Sequence, residues 1–142
     1  MQKRVYFAGS ILGGRENLAV YQHIVARLQA QGHLVPSEHV ARTDVLREES
    51  AVSARAVYER DMDWIRSCNG MIAEVSTPSL GVGYEIASAL GMRKPVLCLF
   101  RAGLSISKMI TGNPASGLRV VTYRDPDELN RHIDAFVAEM PD

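Results

Sequence analysis

Val96-Leu97-Cys98-Leu99-Phe100, entered from Lys94-Pro95, decides the fold. Five consecutive apolar residues are too short for a helix and carry no polar alternation, so they read as a strand covered on both faces, the pattern of a central parallel strand. Lys94-Pro95 ends whatever helix precedes it, because proline removes a donor and restricts the residue before it. Working outward, Met71–Val75 on one side and Arg119–Tyr123 on the other read as further strands, and Val5–Ala8, closed by Gly9, reads as the first. Leu34-Val35 is a brief additional strand.

Helical spacing fills the gaps. Leu18, Tyr21, Ile24, Val25 and Leu28 recur on one face before Gly32 stops the helix. Val57, Trp64, Ile65 and Cys68 define an amphipathic helix over 54–68, with Asp61 one turn before Ile65 and bordering the apolar face. Tyr84–Met92 reads as helical after a loop from Ser76 to Gly83, and Ser105–Ile110 as a short helix. Asp125-Pro126 supplies an N-cap and first-turn proline for a last helix with Leu129, Ile133, Phe136, Val137 and Met140 on one side. The polar stretch from Ser37 to Ser53 carries no clear period.

Five strands alternating with helices predict an α/β, doubly wound, mostly parallel sheet of flavodoxin or Rossmann type, order 2-1-3-4-5, in a single domain over 1–142. In such sheets ligands bind beyond the carboxyl ends of the strands where the winding reverses. That rule selects the loop Gly9-Ser10-Ile11-Leu12-Gly13-Gly14-Arg15 and the loop running from Ser76 to Glu85.

Bulk properties narrow the function. Sixteen basic and sixteen acidic residues give zero formal net charge, so no long-range attraction to nucleic acid or to an acidic membrane is expected. No stretch approaches the ~20 apolar residues of a membrane span, and Met1-Gln2-Lys3-Arg4 runs into a strand without an apolar leader, so a cytoplasmic protein is expected. Cys68 and Cys98 lack ligand-spaced neighbours and read as buried thiols rather than a metal site.

The first loop is neither a Walker loop nor a dinucleotide fingerprint, and glycine there serves equally a ligand or a strand-to-helix turn. Glu85, placed by this reading in a first helical turn, is either a nucleophile kept ionised by the helix dipole or a cap. Asp61 is either an ion-paired helix residue, with Arg60 and Arg66 as candidate partners, or the second member of the carboxyl pair that glycosidic cleavage uses. Glu74, inside a core strand, is expected near the strand end or beside an arginine. His39 and His23 have no identifiable partner.

Six segments combine these pieces: YFAGSILGGRE (6–16), SEHV (37–40), DMDW (61–64), AEVSTPSLGVGYE (73–85), LCLFR (97–101) and ISKMITG (106–112). In them the chain resembles the 2′-deoxynucleoside 5′-phosphate N-hydrolases, relatives of the nucleoside 2-deoxyribosyltransferases, over nearly its whole length. The resemblance implies hydrolysis of the N-glycosidic bond of a deoxynucleoside 5′-monophosphate, with Glu85 attacking the anomeric carbon, Asp61 protonating the base and Tyr6 orienting sugar and nucleophile. It implies that Gly9, Ser10, Ile11, Leu12, Gly13, Gly14 and Arg15 surround base and sugar, with His39 and Met109 as further substrate contacts. Ser79 and Gly81 would hold the phosphate together with Ser107 of the partner subunit in a homodimer. Neither metal nor organic cofactor is implied. Leu12 stands where the mammalian members carry a basic residue, a departure that touches base preference. Two alternatives stand beside this reading: a deoxyribosyltransferase in which a second base captures the intermediate, and a nucleotide-binding module without turnover.

Overall fold

The structure, a computed structural model, describes residues 1–12 and 16–142. Four strands, β1 (Val5–Gly9), β2 (Gly70–Glu74), β3 (Val96–Arg101) and β4 (Leu118–Tyr123), pair in parallel in the order β1-β2-β3-β4. The helices are α1 (Leu18–Ala30), α2 (Val45–Ser50), α3 (Ala54–Ser67), α4 (Leu80–Gly91), α5 (Lys108–Thr111) and α6 (Pro126–Glu139), with a 3₁₀ turn at Glu38–Ala41. The unreadable polar stretch thus resolves into that turn and α2.

Because successive strand side chains point to opposite faces, each strand feeds two cores. Val5 and Phe7 of β1, Ile72 of β2, and Leu97 and Leu99 of β3 pack with Tyr21, Ile24 and Leu28 of α1 and Leu129, Ile133 and Phe136 of α6. Tyr6 and Ala8, Met71 and Ala73, and Val96 and Cys98 pack on the other face with Ile65 of α3 and Val82, Ile86 and Ala89 of α4. The result is a three-layer α/β/α arrangement in which Tyr6 belongs to the α3/α4 side.

The expected five-stranded order 2-1-3-4-5 is corrected: the described residues form four strands in the order β1-β2-β3-β4. The segment expected as the second strand makes a single parallel bridge, Leu34 to Arg4, through Val5 N–H to Leu34 O (2.8 Å) and Leu34 N–H to Lys3 O (2.9 Å). Pro36 then has no N–H to continue the ladder, and the Glu38 amide turns back to Val35 O (3.1 Å) to start the 3₁₀ turn. A side chain supplies the next rung: Ser37 Oγ accepts from Phe7 N–H (2.9 Å) and donates to Phe7 O (2.7 Å). Both backbone groups of a buried edge residue are thereby paired without a strand.

Two glycines are required by geometry. Gly32 closes α1 at φ +84, where glycine alone is unstrained. Gly9 ends β1 against the Tyr21 ring, and a Cβ there would stand 2.8 Å from Tyr21 Cζ. Tyr21 lies edge-on to Phe7 (ring centroids 5.4 Å apart), and its hydroxyl accepts the Ser10 N–H at 2.9 Å, fixing where the chain leaves the sheet.

Candidate active site

The site opens above the carboxyl ends of β1 and β2, where a cavity of about 800 Å³ is lined by Gly9, Ile11 and Leu12 from the first loop and by Pro78 to Val82, Tyr84 and Glu85 from the second loop and α4. Asp61 and Met62 of α3, together with Ala54, Val57 and Tyr58 one turn and more earlier, form the facing wall, and Glu49 of α2 reaches it as well. Positions 54, 57, 58, 61 and 62 share one helical face, so α3 turns an apolar stripe with one carboxylate toward the cavity.

The second loop is shorter and α4 longer than the sequence suggests. Ser79 is the N-cap, its side chain accepting from Val82 N–H at 3.3 Å, and the helix starts at Leu80 rather than at Tyr84. Gly81 and Gly83 read as loop by composition, yet Gly83 already donates to Ser79 O at 3.1 Å. Glu85 therefore lies in the second turn, not the first. That removes the capping alternative, and it removes the expectation that the helix dipole keeps Glu85 ionised, since the dipole acts chiefly within the terminal turn.

What governs Glu85 instead is burial, which pushes its carboxyl up to about 7, with the nearby Asp61 charge adding to the rise. The Tyr6 hydroxyl donates to Glu85 Oε2 and opposes it. Burial and the adjacent carboxylates hold the Tyr6 phenol far above its ordinary value, so Tyr6 is a fixed donor to Glu85. Strand alternation explains the meeting: Tyr6 rises from β1 on the face that α4 covers.

Asp61 is ion-paired and also lines the cavity, so the ion pair does not take it away from the site. Arg60 Nε–H donates to Asp61 Oδ1 at 2.9 Å, while Arg66 pairs with Asp63 instead (2.7 Å). Burial raises the Asp61 carboxyl, and the Arg60 hydrogen bond and charge work against it.

The two loops are tied together. Asn17 Nδ2–H donates to Thr77 Oγ1 (3.0 Å), and Thr77 donates to Glu16 (3.2 Å). Glu74, 0 % exposed at the end of β2, accepts from the Tyr123 hydroxyl, from Ser76 N–H (2.8 Å) and from Ser76 Oγ–H (2.8 Å). Ser76 Oγ in turn accepts the Arg101 N–H at 3.0 Å. One buried carboxyl, its pKa raised by burial, thus binds the ends of three strands to the start of the second loop.

The other expected residues divide by position. Ser79 and Gly81 sit at the N-terminus of α4 on the cavity wall. Ser107 and Met109, the latter 81 % exposed, line a second cavity of about 760 Å³ across the α4 N-terminus, which shares Pro78, Ser79, Leu80 and Val82 with the first. Ser10 is buried at the start of the first loop, and His39 lies behind the wall, meeting Glu49 Oε1 at 2.8 Å. Gly13, Gly14 and Arg15 lie outside the described residues. Glu49 and Tyr58 were not singled out by sequence: the first sits on a helix without a readable period, and the second carries a signal only once α3's cavity face is known.

Among the described residues no cluster of three or more His, Cys, Asp or Glu side chains is arranged to hold a metal, and no helix is long and apolar enough to cross a membrane. Cys68 and Cys98 are buried, and burial pushes their thiols up to about 11 and about 12.

Comparison with known proteins completes the picture. Residues 5–129 match the model of the nucleoside 2-deoxyribosyltransferase family. The chain is 42% identical over 144 residues to the mouse 5-hydroxymethyl-dUMP N-hydrolase, covering 95% of this chain and 82% of that protein. It is 49% identical over 113 residues to the Esox lucius protein of the same name, covering 76% and 77%. Among solved structures, a Clostridium botulinum CMP N-glycosidase superposes with TM-score 0.68 at 22% identity, covering 93% of this chain and 99% of that one. A 2-deoxyribosyltransferase from Bacillus psychrosaccharolyticus gives 0.65 at 19%, covering 89% and 90%. At those identities the last two bear on fold alone, a Rossmann-like α/β fold with a parallel sheet. The family match and the relatives above 40% identity make this chain a member of the nucleoside 2-deoxyribosyltransferase family.

Proposed function

We propose that the protein hydrolyses the N-glycosidic bond of 2′-deoxynucleoside 5′-monophosphates, releasing the free base and 2-deoxyribose 5-phosphate. The observation that carries the reading is the convergence of Glu85 and Asp61 on one cavity, with the buried Tyr6 hydroxyl bound to Glu85, the equipment of a two-carboxyl glycosidase. Names of the relatives, N-hydrolases of a deoxynucleoside monophosphate, agree with it.

The Glu85 carboxylate attacks C1′ of the sugar. As the C1′–N bond breaks, its electron pair goes to the base nitrogen, which takes a proton from Asp61. A glycosyl ester on Glu85 results. Water then attacks C1′, giving its proton to Asp61 and freeing Glu85 as carboxylate, so the enzyme returns to its starting state. Tyr6 holds one Glu85 oxygen and leaves the other for attack. The phosphate is bound at the α4 N-terminus, where the first-turn amides at Leu80 and Gly81 and the Ser79 hydroxyl provide donors. Ser107 of the partner subunit completes that site in a homodimer; Leu80, 96 % exposed and lining both cavities, and Met109 lining the second supply apolar surface for such a contact. A single domain acting on free nucleotides fits a cytoplasmic enzyme.

The test is base release from dGMP. Glu85→Ala abolishes it, and mass spectrometry of enzyme quenched with substrate finds a phosphodeoxyribosyl adduct on Glu85; an adduct elsewhere, or full turnover in Glu85→Ala, refutes the mechanism. The family match favours one second reading, transfer to another base. Adding free adenine distinguishes it, since transfer yields dAMP.

A further inference from the structure

Behind Asp61 stands a chain of charges that takes no direct part in the reaction. Arg60 gives Nε–H to Asp61 Oδ1 (2.9 Å) and Nη2–H to Glu49 Oε1 (2.9 Å). Glu49 Oε1 also meets His39 Nε2 at 2.8 Å. Consecutive helical residues point apart, so Arg60 reaches its sequence neighbour only by lying back along α3. Trp64, one turn on, provides the surface: the guanidinium carbon stands 4.8 Å from its ring centroid, and His39 flanks the same ring at 5.7 Å. One cation is therefore held in place by an aromatic ring and shared between carboxylates from two helices.

We propose that Arg60 is a positioning residue for Asp61, dividing its charge between Asp61 and Glu49 so that Glu49, held by His39, governs how readily Asp61 takes up and releases its proton. The proposal rests on the reading of Asp61 as the acid. An acid in this step has to hold a proton and then surrender it, whereas an arginine committed to Asp61 alone would keep it a bare carboxylate. Competition from Glu49 loosens that hold without removing the hydrogen bond that orients the carboxyl. His39 fixes the geometry of that competition: its Nε2 meets the same Glu49 Oε1 that Arg60 uses and stands 3.3 Å from Arg60 Nη2. Among the described residues the charged and titratable groups facing Asp61 are Arg60 on its own helix, Glu49 from α2, His39 from the 3₁₀ turn, Tyr6 from β1 and Glu85 from α4. Glu49 and Glu85 favour its protonated form, and Arg60 and His39 its ionised form.

The experiment is a pH titration of the Asp61 carboxyl by carbon-13 NMR in aspartate-labelled protein carrying Glu85→Gln, which removes the coupled neighbour. The resonance is assigned by its loss in Asp61→Asn. Arg60→Gln raises the Asp61 midpoint by about 1 pH unit or more, the scale of an opposite charge at hydrogen-bond range. Glu49→Gln lowers it, because Arg60 then serves Asp61 alone. Arg60→Lys, which keeps the charge but not the two-armed grip, falls between wild type and Arg60→Gln and covers the case in which Arg60→Gln fails to fold. An unmoved midpoint in both Arg60 variants, or shifts of the same sign in Arg60→Gln and Glu49→Gln, overturns the proposal. Failure of the underlying reading is seen separately: with Glu85 intact, Asp61→Asn would release base as fast as wild type.

Discussion

Glu85→Gln is expected to stabilise the protein while disabling it. Folding carries the Glu85 carboxyl from an ordinary value of 4.5 to about 7, so between those pH values the folded state binds more protons than the unfolded one. Stability contributed by the protonated carboxyl is present in full below 4.5 and is lost as pH rises through about 7. At ~1.4 kcal/mol per pH unit, the ionised side chain costs the fold about 3 kcal/mol above that window. Glutamine keeps the shape and can still accept the Tyr6 hydrogen bond, but it has no charge to desolvate. Urea denaturation of both proteins at a series of pH values from 4 to 8.5 measures the difference directly. The two should be equal near pH 4, with the variant ahead by about 2–3 kcal/mol at pH 8. A difference that does not change with pH, or a variant less stable than wild type at pH 8, would refute burial as the cause of the Glu85 shift.

Tyr6→Phe withdraws the donor that favours ionised Glu85, so the acidic limb of the pH profile for kcat/KM moves upward and roughly tenfold activity is lost at pH 7, the scale of a hydrogen bond to a charged group; part of the loss returns at higher pH, and an unshifted limb contradicts the role given to Tyr6. Gly9→Ala drives a methyl group into the Tyr21 ring and costs about 1–3 kcal/mol as an overpacking change, read as a lowered Tm. Ser37→Ala strands both backbone groups of Phe7 and costs about 2 kcal/mol, read by the same denaturation series. If the phosphate site spans two chains, mixing Ser107→Ala with Glu85→Ala protein restores part of the activity that neither shows alone; a mixture no better than its components argues for a site within one chain.

The layering was legible because apolar runs such as Val96–Phe100 are dictated by burial on both faces, and burial leaves a compositional trace. Two places were not. Leu34-Val35 has strand composition, but whether it pairs depends on Pro36 and on a serine hydroxyl replacing a backbone partner, which no periodicity records. Gly81 and Gly83 lower local helix propensity by about 1 kcal/mol each, which hid the start of α4; the Ser79 cap and the packing of Val82 and Ile86 outweigh that cost. The carboxyl pair could be proposed from spacing and family likeness, whereas its protonation could not. Glu85 looked ionised when set in a first turn; one turn further along and buried, it titrates near neutrality. Glu49 became visible only with the fold, and so did the link from His39 to Asp61, because that link runs through Arg60 and Glu49 rather than along the chain.

Ser37 clasps Phe7 by both its N–H and its C=O, immediately beside Tyr6. Since strand neighbours face opposite layers, sliding β1 by a single residue would exchange a core phenylalanine for the tyrosine that meets Glu85. The clasp, made to both backbone groups of one residue, adds two bonds that such a slip would break, and it sits beside the residue where the slip would matter most. The serine that closes the sheet edge thus also steadies the strand position from which Tyr6 meets Glu85, so a substitution at Ser37 reaches the cavity without lining it.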